Sequence, residues 1–403
     1  MSNAGARVPS GPADTGLNIN HDWEQQVMSK YSASRRSFLK AGAAGAALSL
    51  IPGKVIGANE QVNKGGQHYK SFSGLPGVKV VGVSDADITR IQNAPGEIKK
   101  YQDLRGLLDI KELDAVVIAT PNHWHSLAAI MAIQAGKHVY VEKPVSHCIW
   151  EGRQMVNAAR KYNRIVQAGT QQRSCPAVQE CAADVQAGKY GKVLWVHSSK
   201  LGSREPIGKV TEPTKVPEGI DYNLWAGPAP MTPVMRKSFH YDWHWQWNWG
   251  DGEMGNWAVH YLDDLRHILG WDNVPNNVIA AGNRWWDDDG QTPNMHIAYM
   301  EHDGAKVVVD IRNMRDHARG DKQGGLHLKS RGGNYIMCEN GYINIARGGG
   351  KAYSLDKKMI KQYKGNGGSG HAQNFIDAIR AGSNAGLAAE IEIGHYSTVM
   401  CHL

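Results

Sequence analysis

Cysteine is scarce in this chain: five residues in 403, at positions 148, 175, 181, 338 and 401, with no Cys-x-x-Cys pair and an odd total. That excludes a disulfide-framed miniature scaffold and a cysteine-based zinc cluster, and leaves at most single bridges open. Long apolar runs are missing too. The leading run, Ala41 to Ile51, is rich in Ala and Gly and stops well short of the roughly 20 residues that span a bilayer. Charge of one sign is weak: the formal net charge is +7, and residues 1–58 hold six Lys/Arg against three Asp/Glu, so the remainder is nearly balanced. Such diffuse charge does not point to a nucleic-acid partner. Phenylalanine is rare, 4 residues against 13 Trp, which suggests ring faces used for contact as well as for core filling. With 41% hydrophobic and 21% charged residues, the chain fits neither a disordered protein nor a multi-span membrane protein. Its length predicts two or three domains.

Ser34-Arg35-Arg36-Ser37-Phe38-Leu39-Lys40, the short apolar run and then Pro52-Gly53 follow the order of a twin-arginine export signal. Residues 1–58 are therefore expected to be a leader, with Ala58 at its end, and the mature chain to be periplasmic or otherwise extracytoplasmic. That route carries folded proteins, so a bound cofactor is compatible with it.

From Val78 to Gly169 short apolar strands alternate with helical stretches: VKVVGVSD, LDAVVIAT, a helix near 124–135, HVYVEKP, a helix near 149–162, then RIVQAG. Strands apolar on both faces and joined by helices predict a doubly wound parallel α/β sheet, with ligands at the strands' carboxyl ends. Those ends carry Ser84-Asp85, Thr120-Pro121-Asn122, Glu142-Lys143-Pro144 and Gly169-Thr170-Gln171. Beyond about residue 173 the strand-like runs have few helices between them, which predicts a second, α+β domain on an open, mostly antiparallel sheet. The expected divisions are 59–172 and 173–403.

The motifs ATPNHWH (119–125), YVEKP (140–144), AGTQQRS (168–174), GDGEMGNWAVHYLDD (250–264) and GHAQNFIDAIRAG (370–382) together resemble the glucose-fructose oxidoreductase/inositol dehydrogenase/MocA family, in its exported branch. The resemblance covers nearly all of residues 34–403. It implies a Rossmann-like domain that binds NAD or NADP, a sheet domain that holds a sugar, cyclitol or glycoside, and assembly into homo-oligomers. Two departures stand out. No apolar strand and no complete glycine-rich turn lie between Gly57 and Gly65-Gly66, so the first Rossmann strand is expected to be missing. The ending IEIGHYSTVMCHL reads as an unfinished helix, suggesting a truncated C-terminus.

Gly65 and Gly66 are the remaining candidates for the phosphate turn. Asp85, about 20 residues on, has the spacing of a carboxylate that accepts from ribose hydroxyls and disfavours a 2′-phosphate, so NAD is expected over NADP; a plain strand-end cap is the alternative. Thr120, Pro121, Asn122, His125, Glu142 and Lys143 complete the expected cofactor edge. Alcohol oxidation needs a proton acceptor and a charge that stabilises the developing alkoxide. By resemblance, His260 and Lys143 supply them, and Asn256 stands where relatives carry an Asp, one helical turn before the His. Asp263 is expected either to hold His260 or to lie on the surface beside Asp264. In FHYDWHWQWNW the Trp residues recur at period two, so an extended strand would place Trp243 and Trp245 on one face as a sugar platform, with His244 on the other; packing on the sheet or an interface between copies is the competing reading. No metal site is expected. Besides a dehydrogenase, two functions stay open: a glycosidase that uses NAD transiently, and a non-catalytic carbohydrate-binding relative.

Overall fold

The computed structural model describes residues 53–59, 64–202, 204–313 and 332–403, with side chains from Gly66 onward. Residues 1–52, and with them the twin-arginine motif, lie outside the described residues.

The first half alternates as its apolar runs demand: β1 (Gly53–Asn59), α1 (Lys64–Ser73), β2 (Val78–Ser84), β3 (Lys99–Tyr101), α2 (Leu104–Leu108), β4 (Ala115–Ala119), α3 (Asn122–Gln134), β5 (His138–Val141), α4 (Ile149–Lys161) and β6 (Val166–Ala168). These strands form one parallel sheet in the order β3-β2-β1-β4-β5-β6, the doubly wound arrangement. Strand β4 is buried along its whole length, as a central strand covered by helices on both faces must be.

One expectation is overturned here. The first strand is present, and it is central. Residues 53–59, assigned above partly to the leader, pair in parallel with β2 on one side and β4 on the other, with a register shift between Val55 and Gly57. The strand went unrecognised because its apolar core is only Val55-Ile56 before Gly57, and it abuts a run that reads as export signal. The Rossmann domain therefore starts at Gly53, and β2 and β4 have no open edge between them.

The second half contributes α5 (Pro176–Gln186), β7 (Val193–Gly202), α6 (Tyr222–Ala226), α7 (Val259–Leu269), β8 (Asn277–Asn283), β9 (Met295–His302), β10 (Ala305–Asn313), β11 (Gly332–Cys338), β12 (Gly341–Ala346), β13 (Gly349–Tyr353), β14 (Met359–Lys364), α8 (His371–Ala381) and α9 (Ile391–His402). Its eight strands are ordered β14-β13-β12-β11-β7-β10-β9-β8, antiparallel except for the β7/β10 pair. One face buries Val196, Val307, Val309, Ile336 and Ile343 against α5 and α7. The other face is open. The two sheets meet through α9, whose Thr398 hydroxyl accepts the Val145 N–H at 3.1 Å directly behind the loop that follows β5.

Candidate active site

A cavity of about 620 Å³ opens at the carboxyl edge of the parallel sheet. Five of the residues singled out from sequence line it: Glu142, Lys143, His244, Asn256 and His260. Glu142 and Lys143 leave β5 fully buried, and both are held by polar contacts. The Glu142 carboxylate meets the His68 ring at 2.9 Å and accepts from the Gln171 amide at 2.9 Å. Gly169 makes this packing possible, since a Cβ there would lie 2.7 Å from a Glu142 carboxylate oxygen. Lys143 Nζ donates to the Asn256 backbone carbonyl at 2.5 Å.

That carbonyl is presented by a single π-helical turn, Met254–Ala258, which runs directly into α7. Such turns are frequent at functional sites because one extra residue re-aims the side chains that follow. Here it carries Asn256, Trp257 and, at the start of α7, His260 to one wall of the cleft. The Trp257 and His260 rings meet edge to face at 6.0 Å. Lys200 Nζ lies 5.0 Å from the centre of the Trp257 ring.

A smaller cavity beside the cleft is lined by Asp85 and Thr120, at the ends of β2 and β4. Asp85 accepts the Asp87 N–H through Oδ1 at 2.9 Å, while its buried Oδ2 and the Thr120 hydroxyl have no partner among the described residues. Burial pushes the Asp85 carboxyl up to about 8. Two orphaned polar groups at this edge suit a ribose hydroxyl pair. Gly65 and Gly66 fall in the first turn of α1, and nothing lies within 4 Å of a Cβ placed on Gly66, so the helix start leaves room for a close backbone approach. The residues present therefore fit a dinucleotide laid along this edge.

The other expected site residues do different work. His125 is fully buried, its ring nitrogens set against the Pro144 carbonyl at 2.5 Å and the Thr120 carbonyl at 2.8 Å, so it clamps two strand ends together and lines neither cavity. Pro121 caps α3, and the Asn122 amide donates to Asp251 at 2.7 Å. Asp263 neither holds His260 nor lies on the surface. Fully buried, it takes both oxygens to Arg173 Nε at 2.9 Å and accepts from the Ser397 hydroxyl at 2.7 Å. Asp264 is buried as well, and burial beside Asp263 pushes its carboxyl up to about 8.

The tryptophan platform is also overturned. Asp242–Trp245 is a 3₁₀ turn, so the period-two alternation never becomes a common face. Trp243 is 0% exposed and packs with Trp225, Phe239 and Trp249 around the Arg236 guanidinium. Trp245 is buried beneath Arg204 and Tyr241. Trp247, at 53%, faces solvent. The indole in the cleft is Trp257.

Two models of one family match the chain: an oxidoreductase family NAD-binding Rossmann fold over residues 54–170, and an oxidoreductase family C-terminal alpha/beta domain over residues 195–324. The chain belongs to the Gfo/Idh/MocA oxidoreductase family. Among Gfo/Idh/MocA relatives, the oxidoreductase YrbE of Bacillus subtilis (strain 168) is 30% identical over 250 residues, covering 60% of this chain and 62% of that protein. Levoglucosan dehydrogenase of Pseudarthrobacter phenanthrenivorans is 27% identical over 179 residues, 44% of this chain and 39% of that one. Inositol 2-dehydrogenase 1 of Saccharopolyspora erythraea is 33% identical over 146 residues, 35% and 43%. The matches thus span less than two thirds of each of these relatives. A solved levoglucosan dehydrogenase, in complex with NADH and levoglucosan, superimposes with a TM-score of 0.65 at 18% identity, over 87% of this chain and 95% of that one. At that identity the likeness shows the shared Gfo/Idh/MocA fold.

Gln171, named above at a strand end, lines the cleft, and the structure also brings in residues that the sequence did not single out: His68, Tyr140, Arg204, Tyr241, Arg347 and His371. Tyr140, Gln171 and His371 lie within motifs read above, where they carried no role of their own. Arg204 and Arg347 carry no local signal.

Proposed function

We propose that this chain is an NAD-dependent oxidoreductase acting on a hydroxyl of a sugar or cyclitol. The observation that carries the reading is the single cleft that Lys143 and His260 both line, its two sides tied by the Lys143 contact to the carbonyl of Asn256. Asp85 and Thr120 would hold the ribose, and the first turn of α1 the pyrophosphate. When bound, the nicotinamide supplies the hydride acceptor. The chain's own groups handle the proton: the His260 imidazole accepts it from the substrate hydroxyl, and the Lys143 ammonium stabilises the alkoxide that develops as the carbinol hydride departs. Burial of Lys143 strengthens that interaction, because little water screens it. Trp257 offers an apolar ring for a sugar C–H face.

The wider reading includes export by the twin-arginine route and self-association. Supporting the second, strand pairing puts Ile279, Tyr299, Val308, Trp195, Tyr335, Tyr342 and Tyr353 on the sheet's open face. Ile279 is 73% exposed there, and the rings from Trp195 to Tyr353 pack in a row 5.1–5.5 Å apart. The test is a titration with NADH, following energy transfer from Trp to the nicotinamide, then NAD⁺ reduction across a sugar and cyclitol panel. Saturable binding, with turnover abolished by Lys143→Ala and by His260→Ala, is expected; turnover unchanged in both variants refutes the assignment.

A further inference from the structure

Among the described residues, the cleft wall carries three fixed cations, Lys143, Arg204 and Arg347, and one carboxylate, Glu142. Three of these four charges are already engaged. Glu142 takes His68 and Gln171, and Lys143 donates to the Asn256 carbonyl. Arg204 meets the buried Glu253 at 3.0 Å and lies over the Tyr241 and Trp245 rings. Arg347 differs. It stands in the turn between β12 and β13, about half of the chain away from Glu142 and Lys143, and no described carboxylate forms an ion pair with it. Its field does reach Asp264, but no ion-pair contact joins the two, and burial pushes that carboxyl up to about 8.

Sheet order says which ligand Arg347 faces. Along the carboxyl edge, Asp85 ends β2, Thr120 follows β4, and Glu142 and Lys143 follow β5, so a dinucleotide runs from Asp85 toward Lys143. Arg347 lines the same cavity as Tyr140, Lys143 and His260, to which Asp85 and Thr120 do not contribute. On the dehydrogenase reading, the end of the cleft that holds Lys143 and His260 is where the substrate lies.

We propose that the substrate carries an anionic group, a carboxylate or a phosphate, and that Arg347 is the specificity residue that pairs with it. A planar guanidinium suits either group through paired N–H donors. The inference rests on the dehydrogenase reading for where the substrate sits. Its test does not need turnover. Isothermal titration of the full chain with D-glucuronate, D-glucose 6-phosphate and D-glucose, repeated on Arg347→Gln, reads the preference directly. At least one anionic probe should bind about tenfold more tightly than glucose, and the variant should erase that gap. Which probe gains tells carboxylate from phosphate. Three probes binding alike, none binding, or a gap that survives in Arg347→Gln would overturn the proposal. A parallel NADH titration separates the two readings: an anion preference without NADH binding removes the dehydrogenase and keeps the Arg347 site, whereas NADH binding without the preference does the reverse.

Discussion

The two walls of the cleft are built on different physics. On the sheet side, Glu142 and Lys143 of the cleft, like Asp85 and Thr120 of the smaller cavity, sit at the ends of buried strands, and their backbones are set by the ladder and by His125 bridging two carbonyls. On the opposite side, Tyr241, His244, Asn256, Trp257 and His260 ride on a 3₁₀ turn, a π turn and the start of α7. No ladder fixes that wall. It is held by an aromatic cluster around Arg236 and by the buried Arg173–Asp263–Ser397 network. The sheet wall is thus positioned by main-chain hydrogen bonding, and the helical wall by side-chain packing, so single substitutions should damage the two in different ways.

The sharpest separation is between chemistry and stability. Lys143→Met keeps the length of the side chain and removes its charge from a wall the ladder already fixes. Turnover should fall by about 10²–10³-fold, since the stabilisation of the developing alkoxide is lost, while the urea midpoint moves little; a large midpoint shift would break the distinction. On the helical side, Arg173→Met strands the buried Asp263 carboxylate. Unfolding free energy by urea titration should drop by about 3–5 kcal/mol, with part recovered in Arg173→Met/Asp263→Asn. An unchanged midpoint would mean that packing alone holds this wall.

Trp243→Ala and Trp247→Ala form an internal control, because the two rings are four residues apart, one buried and donating its indole N–H to the His240 carbonyl, the other exposed. The first should cost about 3 kcal/mol through the cavity it leaves, the second less than about 0.5 kcal/mol. Equal losses would restore the reading of these indoles as one face.

The smallest effect comes from pH. Asp264 has a folded-state carboxyl near 8 against an ordinary value of 3.8, raised mainly by burial. Between those values the native chain holds a proton that the unfolded chain has lost, so this group's contribution to stability declines as pH rises from about 4 to about 8. Asp264→Asn removes that slope. Its melting temperature relative to wild type should therefore rise by a few °C, to order of magnitude, between pH 5 and pH 9. A flat difference would show that Asp264 ionises freely.

Much of the sheet wall was legible in the sequence. The runs that became β2, β4, β5 and β6 announce themselves by their predominantly apolar character, and Asp85, Glu142 and Lys143 follow directly at their ends. Strand β1 escaped because two apolar residues ahead of a glycine make too short a signal beside a leader-like run. In the helical wall, the alternation of Trp with His, Asp, Gln and Asn from Tyr241 to Trp249 imitates a strand, and a tight turn dictated by its neighbours took its place.

The sequence by itself determined which segments alternate, where the parallel strands end, and that a lysine and a histidine of the right types exist, because those features depend on hydrophobic period and residues adjacent in the chain. Only the tertiary structure decided that Trp243 is core and Trp257 lines the cleft, that Asp263 answers Arg173, and that Arg347 joins Glu142 and Lys143, about 200 positions away, in one site. Those outcomes depend on which surfaces meet when two sheets pack through α9, and no local pattern encodes that meeting.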